Sequence, residues 1–271
     1  MTKVHNNFMS ISDNWKYVLP PSRPSEMELQ RIRSILSCID KKANIAILGS
    51  TVEYRDLLKE IGFDTIYVFD KNRAFYELSK TWCAYPTYEE IFVEGDWIET
   101  LHKYNSAFAV ILSDLTMGNI EYSLRSDFYS SIYKAIKTGG FFIDKVLTND
   151  LPFVPLASIK NKYLQLPLNI LTANHFSCEA LFCSELLNNE EIDTTAFYNT
   201  LRCEFNQSTK LMKLIELSHL ITPENCLWHY GKSWHILEDS YISFYDESPF
   251  FLESSGSPYY GRLKHYFHKK G

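Results

Sequence analysis

The chain has 271 residues, 45% of them hydrophobic and 22% charged, with a net charge of −6 and a sequence pI near 5.8. That balance belongs to a globular protein and leaves no basic footprint for nucleic acid beyond the short stretch from Arg262 to Lys270, read as a solvated end. No apolar run approaches the length of a membrane span, the first residues are polar, and six scattered cysteines form no CxxC pair; a cytoplasmic protein with reduced thiols, no membrane contact and no metal is expected.

Residues 1 to 25 form an irregular arm, because Pro20, Pro21 and Pro24 forbid a helix interior. Trp15 and Arg23 on this arm are candidate cofactor contacts. Ser25 and Glu28 make a capping box for a helix with Met27, Leu29, Ile32, Ile35, Leu36 and Ile39 on its apolar side. The central stretch follows, residues 44 to 70. Ile45 to Leu48 is a short continuous apolar run, as a strand buried on both faces requires. Gly49 ends it, Ser50 and Thr51 can cap the next helix, and Gly62 stops that helix. Ile66 to Phe69 makes the second strand, with Asp70 at its end. The unit is βαβ, and a carboxylate about 20 residues past a glycine turn suits ribose hydroxyls.

Asn72 to Trp82 reads as a helix with Phe75, Leu78 and Trp82 inward. Glu90 to Glu94 is a short third strand running into Gly95-Asp96-Trp97. Phe108 to Leu112 is a fourth strand that ends at Ser113-Asp114. Asp127 to Ile136 is a helix, and Thr138-Gly139-Gly140 turns into a fifth strand, Phe141 to Asp144. Short strands alternating with helices imply a parallel sheet covered on both faces. From about residue 150 the character changes. Helical patterns run from His175 to Leu187 and from Thr195 to Leu220, read as an insertion or lid. His235 to Leu237, Tyr241 to Tyr245 and Leu263 to His268 follow as closing strands. The divisions expected are an arm and helix over 1–40, a Rossmann-like core over 41–150, and a lid with closing strands over 151–271.

In an open α/β sheet, ligands bind beyond the carboxyl ends of the strands. Those ends carry Gly49-Ser50-Thr51, Asp70-Lys71, Asp96-Trp97 and Asp114. Asp70 would hold ribose hydroxyls, Asp96 an exocyclic amine, and Trp97 the face of a base. Order and spacing in residues 44 to 147 resemble the class I S-adenosylmethionine-dependent methyltransferases. The matching pieces are Ile47-Leu48-Gly49-Ser50-Thr51, Val68-Phe69-Asp70, Glu94-Gly95-Asp96-Trp97, Ile111-Leu112-Ser113-Asp114 and Lys137-Thr138-Gly139-Gly140-Phe141-Phe142. The resemblance implies a seven-stranded, Rossmann-like, mostly parallel sheet that binds S-adenosylmethionine and methylates a small molecule or short peptide.

Two departures stand out. The first loop holds one glycine, and no carboxylate precedes it. Thr51, Glu53 or Arg55 could share the contact to the cofactor's amino-acid tail, although an exposed Glu53–Arg55 helix pair is the first reading. Asp114, His175, Glu179 and His229 are the candidate bases, with Lys145 an anchor for an acidic substrate and Trp228, Tyr230 and Trp234 lining its pocket. A nicotinamide-linked oxidoreductase and a catalytically inactive binding relative are the rival readings.

Overall fold

The computed structural model describes residues 12–18, 20, 22–86, 89–148, 151–186, 191–229 and 262–271. In chain order these residues form a 3₁₀ turn (Ser12–Tyr17), α1 (Glu26–Leu36), β1 (Ile45–Leu48), α2 (Val52–Ile61), β2 (Ile66–Asp70), α3 (Arg73–Lys80), β3 (Ile91–Glu94), α4 (Trp97–Leu101), β4 (Phe108–Asp114), α5 (Arg125–Ala135) and β5 (Ile136–Leu147). Then come α6 (Leu156–Gln165), α7 (Ile170–Cys183), β6 (Ile192–Asp193), α8 (Thr194–Phe205), α9 (Thr209–Ser218), β7 (Leu227–Trp228) and β8 (Leu263–Lys269).

Two compact units divide the chain. Arg23–Val146 and Lys264–Gly271 belong to the first; the described residues to Ser22, those from Leu147 to His229, and Arg262 with Leu263 belong to the second. The first unit is built on a six-stranded sheet of order β3-β2-β1-β4-β5-β8. The pairings from β3 through β5 are all parallel. This is a mixed, Rossmann-like α/β fold with helices on both faces.

The reason lies in the strand sequences. Ile45, Ala46, Ile47 and Leu48 are all buried, and successive side chains point to opposite faces. Ala46 and Leu48 join Phe69, Ile111, Phe128 and Ile132 in one core layer. Ile45 and Ile47 join Ile32, Tyr54, Leu58, Val68 and Tyr76 in the other. Ser25 caps α1 in a full capping box with Glu28, and Gly62, at φ +91°, ends α2 in the left-handed region that glycine tolerates.

Several expectations need correction. The strand reading of Leu263 to His268 holds and the solvated-end reading does not: Leu263, His265, Tyr266, Phe267 and His268 are buried in β8. α3 buries Tyr76 and Ser79, whereas Phe75, Leu78 and Trp82, expected inward, are only half-buried. Gly139 and Gly140 lie within β5, which begins at Ile136 and shifts register against β4 between Phe108 and Val110. A Cβ on Gly140 would come within 2.7 Å of the Ala109 carbonyl oxygen, so only glycine lets these backbones approach.

The second unit packs α6 to α9 with the β6–β7 ribbon. The pattern from Thr195 to Leu220 is two helices, interrupted at Asn206-Gln207-Ser208, where the Ser208 hydroxyl caps α9. α6 follows directly on Pro155, a proline position compatible with a helix start. The strands expected at 235–237 and 241–245 lie outside the described residues.

Candidate functional site

The parallel register brings the carboxyl ends of the strands together. Leu48 pairs with Phe69 and Ser113, Asp70 with Glu94, and Asp114 with Lys145. Gly49 follows Leu48 at φ +84°, and its amide donates to the Phe69 carbonyl at 2.8 Å. Ser50 is buried, and its hydroxyl donates to Asp70 Oδ2 at 2.7 Å. The other Asp70 oxygen accepts from the Asn72 amide at 2.9 Å. Thr51 occupies the helix cap without a side-chain cap bond, so Ser50 ties the turn to the neighbouring strand and neither hydroxyl closes the helix. Lys71 is exposed.

Asp96 is exposed and caps α4, accepting from the Ile98 amide at 2.9 Å. Trp97 donates its indole N–H to the Phe69 carbonyl at 2.8 Å. Its ring edge stands 4.0 Å from where a Cβ on Gly49 would lie. The indole therefore flanks the glycine turn and is fixed there.

Beyond β4 and β5 lies a buried charge network that no local pattern announces. The Lys145 ammonium is fully buried, 2.6 Å from Asp114 Oδ1 and 3.6 Å from Glu28 Oε1. His265 Nε2 donates to the same Glu28 oxygen at 2.8 Å. Burial pushes the Glu28 carboxyl up, but the His265 hydrogen bond and the Lys145 charge outweigh it and hold it at about 2. Burial likewise works against the Lys145 ammonium, yet Asp114 and Glu28 push its pKa up and keep it charged. Lys145 is thus committed inside the protein, which corrects its assignment as a substrate anchor. Asp114 is correspondingly buried and ion-paired. Leu115, just after it, sits at φ +57°, a strained conformation for a leucine.

The exposed Glu53–Arg55 pair is also corrected. Arg55 is buried and grips Glu90 with Nε at 2.8 Å and Nη2 at 2.6 Å, while Nη1 reaches the Ser79 hydroxyl at 2.7 Å. Glu53 faces the other way. Its Oε1 is 3.3 Å from Arg23 Nη1, and its Oε2 is buried with no partner among the described residues. Burial raises the Glu53 carboxyl to about 7.

The remaining candidates fall in the second unit. Trp15 packs with Val18, Tyr17, Ile170 and Ile221. His175 is exposed on α7, and Glu179 pairs with Lys162. His229 is buried, with Nδ1 3.3 Å from Glu191. Trp228 stacks on Phe182 at 6.0 Å, and Tyr230 and Trp234 lie outside the described residues. A cavity of about 570 Å³ lined by Asp64, Ile66, Lys80, Glu90 and Ile91 opens at the amino ends of β2 and β3, away from the glycine turn.

Among the described residues no helix is long and apolar enough to cross a membrane, and no cluster of metal-ligating side chains occurs. No protein-family model and no curated protein matches the sequence. Solved structures do match. A Rhodobacter sphaeroides protein named as a Zn-dependent alcohol dehydrogenase aligns over 97% of this chain and 98% of its own, at 12% identity and a TM-score of 0.51. S-adenosylmethionine-dependent methyltransferases match over part of the chain. One from Mesorhizobium loti covers 44% of this chain at 16% identity and a TM-score of 0.35, and one from Corynebacterium glutamicum, TehB-like, covers 52% at 15% and 0.41. The aligned region spans 52% of the first methyltransferase and 72% of the second. At these identities the likeness concerns the fold alone.

Proposed function

We propose that this chain is an S-adenosylmethionine-dependent methyltransferase acting on a small molecule or short peptide. The observation that carries the reading is the Ser50–Asp70 hydrogen bond of 2.7 Å, which joins the glycine turn after β1 to the carboxylate that ends β2. That bond holds Asp70 beside a left-handed glycine whose missing side chain leaves room for a ligand. Asp70 Oδ2 accepts from the Ser50 hydroxyl and Oδ1 from the Asn72 amide, which fixes the carboxylate proposed to meet vicinal hydroxyls. Trp97 presents an apolar ring beside the same turn.

When bound, the cofactor supplies an electrophilic methyl group on a sulfonium. Gly49, Ser50, Thr51, Asp70, Lys71, Asp96 and Trp97 are the residues proposed to hold it, with Trp15 and Arg23 as candidates from the N-terminal segment. The protein's share of such a displacement is chiefly positioning and exclusion of water. Asp114 is the candidate to take a proton from the acceptor, and His175 and His229 are its alternatives on the helical unit. Burial raises the Asp114 carboxyl above the usual carboxylate range, against the pull of the Lys145 ammonium at 2.6 Å, and a raised carboxyl is the direction that general-base work near neutral pH needs.

A non-catalytic binding role is the second reading, and the commitment of Asp114 to Lys145 favours it. Calorimetry with S-adenosylmethionine and its demethylated product tests the first reading. Binding that weakens about tenfold or more in Asp70→Asn is expected, as for loss of a charge-assisted acceptor. No heat at millimolar cofactor removes the reading. Binding without turnover across a broad acceptor panel moves the protein to the second.

A further inference from the structure

The buried charges beyond β4 and β5 are linked in a chain. Four elements of the sheet unit supply one side chain each: His265 from β8, Glu28 from α1, Lys145 from β5 and Asp114 from β4. His265 Nε2 donates to Glu28 Oε1 at 2.8 Å, and that oxygen lies 3.6 Å from the Lys145 ammonium, which lies 2.6 Å from Asp114 Oδ1. Two carboxylates therefore draw on one ammonium, and the ammonium sits with Asp114. Glu28 stands off because both its oxygens already have donors: His265 at Oε1 and the Ser25 amide at Oε2. All four side chains are more than nine-tenths buried, so water does little for a carboxylate that loses its partner. His265 Nδ1 is buried without a partner among the described residues. A second N–H there would go unsatisfied, so the ring serves Glu28 as a one-proton donor.

We propose that His265 is a positioning residue for Asp114: by holding Glu28 off the ammonium it leaves Lys145 to Asp114, and so sets how readily Asp114 takes a proton. The proposal rests on the methyltransferase reading only for the use Asp114 makes of that proton. Asp114 is faced by Lys145, Glu28 and His265, and by Glu53 and Tyr54 from α2. Burial raises the Asp114 carboxyl, Lys145 pulls it down by charge and hydrogen bond, Glu28 pushes it up and His265 pulls it down. Glu53 pairs with Arg23, and the Tyr54 hydroxyl is buried without a partner among the described residues. Neither is hydrogen-bonded to the chain of four, so both form a constant background to it.

The two ends of the His265–Glu28 contact then act with opposite sign. Without the imidazole, Glu28 turns to Lys145 and competes with Asp114, whose proton affinity rises. With Glu28 made neutral, the ammonium serves Asp114 alone, whose proton affinity falls. A contact that only braced the fold would move both in the same direction.

The test is an NMR titration of the full chain, isotopically labelled at the aspartate carboxyl carbons, with Asp114→Asn identifying the Asp114 signal. His265→Leu is expected to raise the Asp114 midpoint and Glu28→Gln to lower it, each by about one pH unit, a tenfold change in proton affinity. His265→Gln, whose amide can still donate to Glu28, is expected to stay near wild type. Shifts of the same sign in His265→Leu and Glu28→Gln overturn the proposal, and so do midpoints that move in neither. A shift in His265→Gln as large as in His265→Leu also overturns it. If the leucine variant does not fold, Glu28→Gln still gives the sign, and the ring-nitrogen spectrum of wild-type His265 gives the contact. That spectrum is expected to show the proton on Nε2; a proton on Nδ1 alone overturns the proposal. Protein that shows the shifts but binds no S-adenosylmethionine refutes the methyltransferase reading and leaves the role of His265. Protein that binds the cofactor without the shifts refutes only that role.

Discussion

Replacing Lys145 by methionine removes a cation and leaves its partners in place. The ammonium is fully buried, at 2.6 Å from Asp114 and 3.6 Å from Glu28. At an effective dielectric of about 20, the two attractions are of order 6 and 5 kcal/mol. Stripping the ammonium of water takes several kcal/mol of this back. The variant also strands the buried Asp114 carboxylate without its ion-pair partner, while Glu28 keeps His265. The expected loss is about 3–5 kcal/mol, a large share of the stability of an ordinary domain. Amide hydrogen exchange of β4 and β5 at pH 7 reads that loss within the sheet unit, without assuming that both units unfold together. Asp114→Asn in the same background should restore about half, because it removes the stranded charge. A loss below about 1 kcal/mol, or no recovery in the double variant, refutes the view that this network is a neutralised unit.

Gly140→Ala forces a methyl to within 2.7 Å of the Ala109 carbonyl and 2.9 Å of the Lys137 carbonyl, neither of which can swing aside. A loss of about 1–3 kcal/mol is expected in urea unfolding, and an unchanged midpoint would contradict the backbone approach described. Acid sensitivity has a worked sign. Glu28 is depressed from 4.5 to about 2, so its stabilisation is present above 4.5 and is lost as pH falls to 2. His268 is depressed by burial from 6.5 to about 3, so its share is complete above 6.5 and lost as pH falls to 3. These shifts correspond to about 3 and 5 kcal/mol. Glu53 runs the other way: raised from 4.5 to about 7, it favours the folded state below 4.5 and loses that share as pH rises to 7. Melting temperature should therefore change little from pH 7 to 5 and drop steeply below 4.5. A steady decline from pH 7, or none by pH 3, would refute this assignment.

What was legible in the sequence was whatever is encoded over a few neighbouring residues. The apolar run Ile45 to Leu48 is β1 residue for residue, and Asp70 ends β2 as expected. The order of glycine turn and carboxylate placed Gly49, Ser50 and Asp70 at one edge of the sheet, where the structure has them. Partnerships across long separations were not legible. His265 finds Glu28 across 237 positions, and Arg55 finds Glu90 across 35, with no periodicity linking either pair. Glu53 and Arg55, two apart on a helix, cannot share a face, and that geometry could have separated their fates beforehand. The basic residues near the end of the chain suggested a solvated tail. Yet the alternation in Leu263-Lys264-His265-Tyr266-Phe267-His268 already carried the signal of a strand, and burial on both sides of the backbone settled which pattern won.

The outer position of β8 has a consequence for synthesis. The ribosome delivers β5 well over a hundred residues before the strand that covers it, an interval of roughly ten seconds at ordinary elongation rates. Through that interval the nascent sheet has an open flank, and Glu28 waits for its imidazole while a whole helical unit emerges. Completion of the six-stranded sheet is thus deferred until the helical unit has been synthesised, which leaves the flank of β5 open to other contacts for that interval.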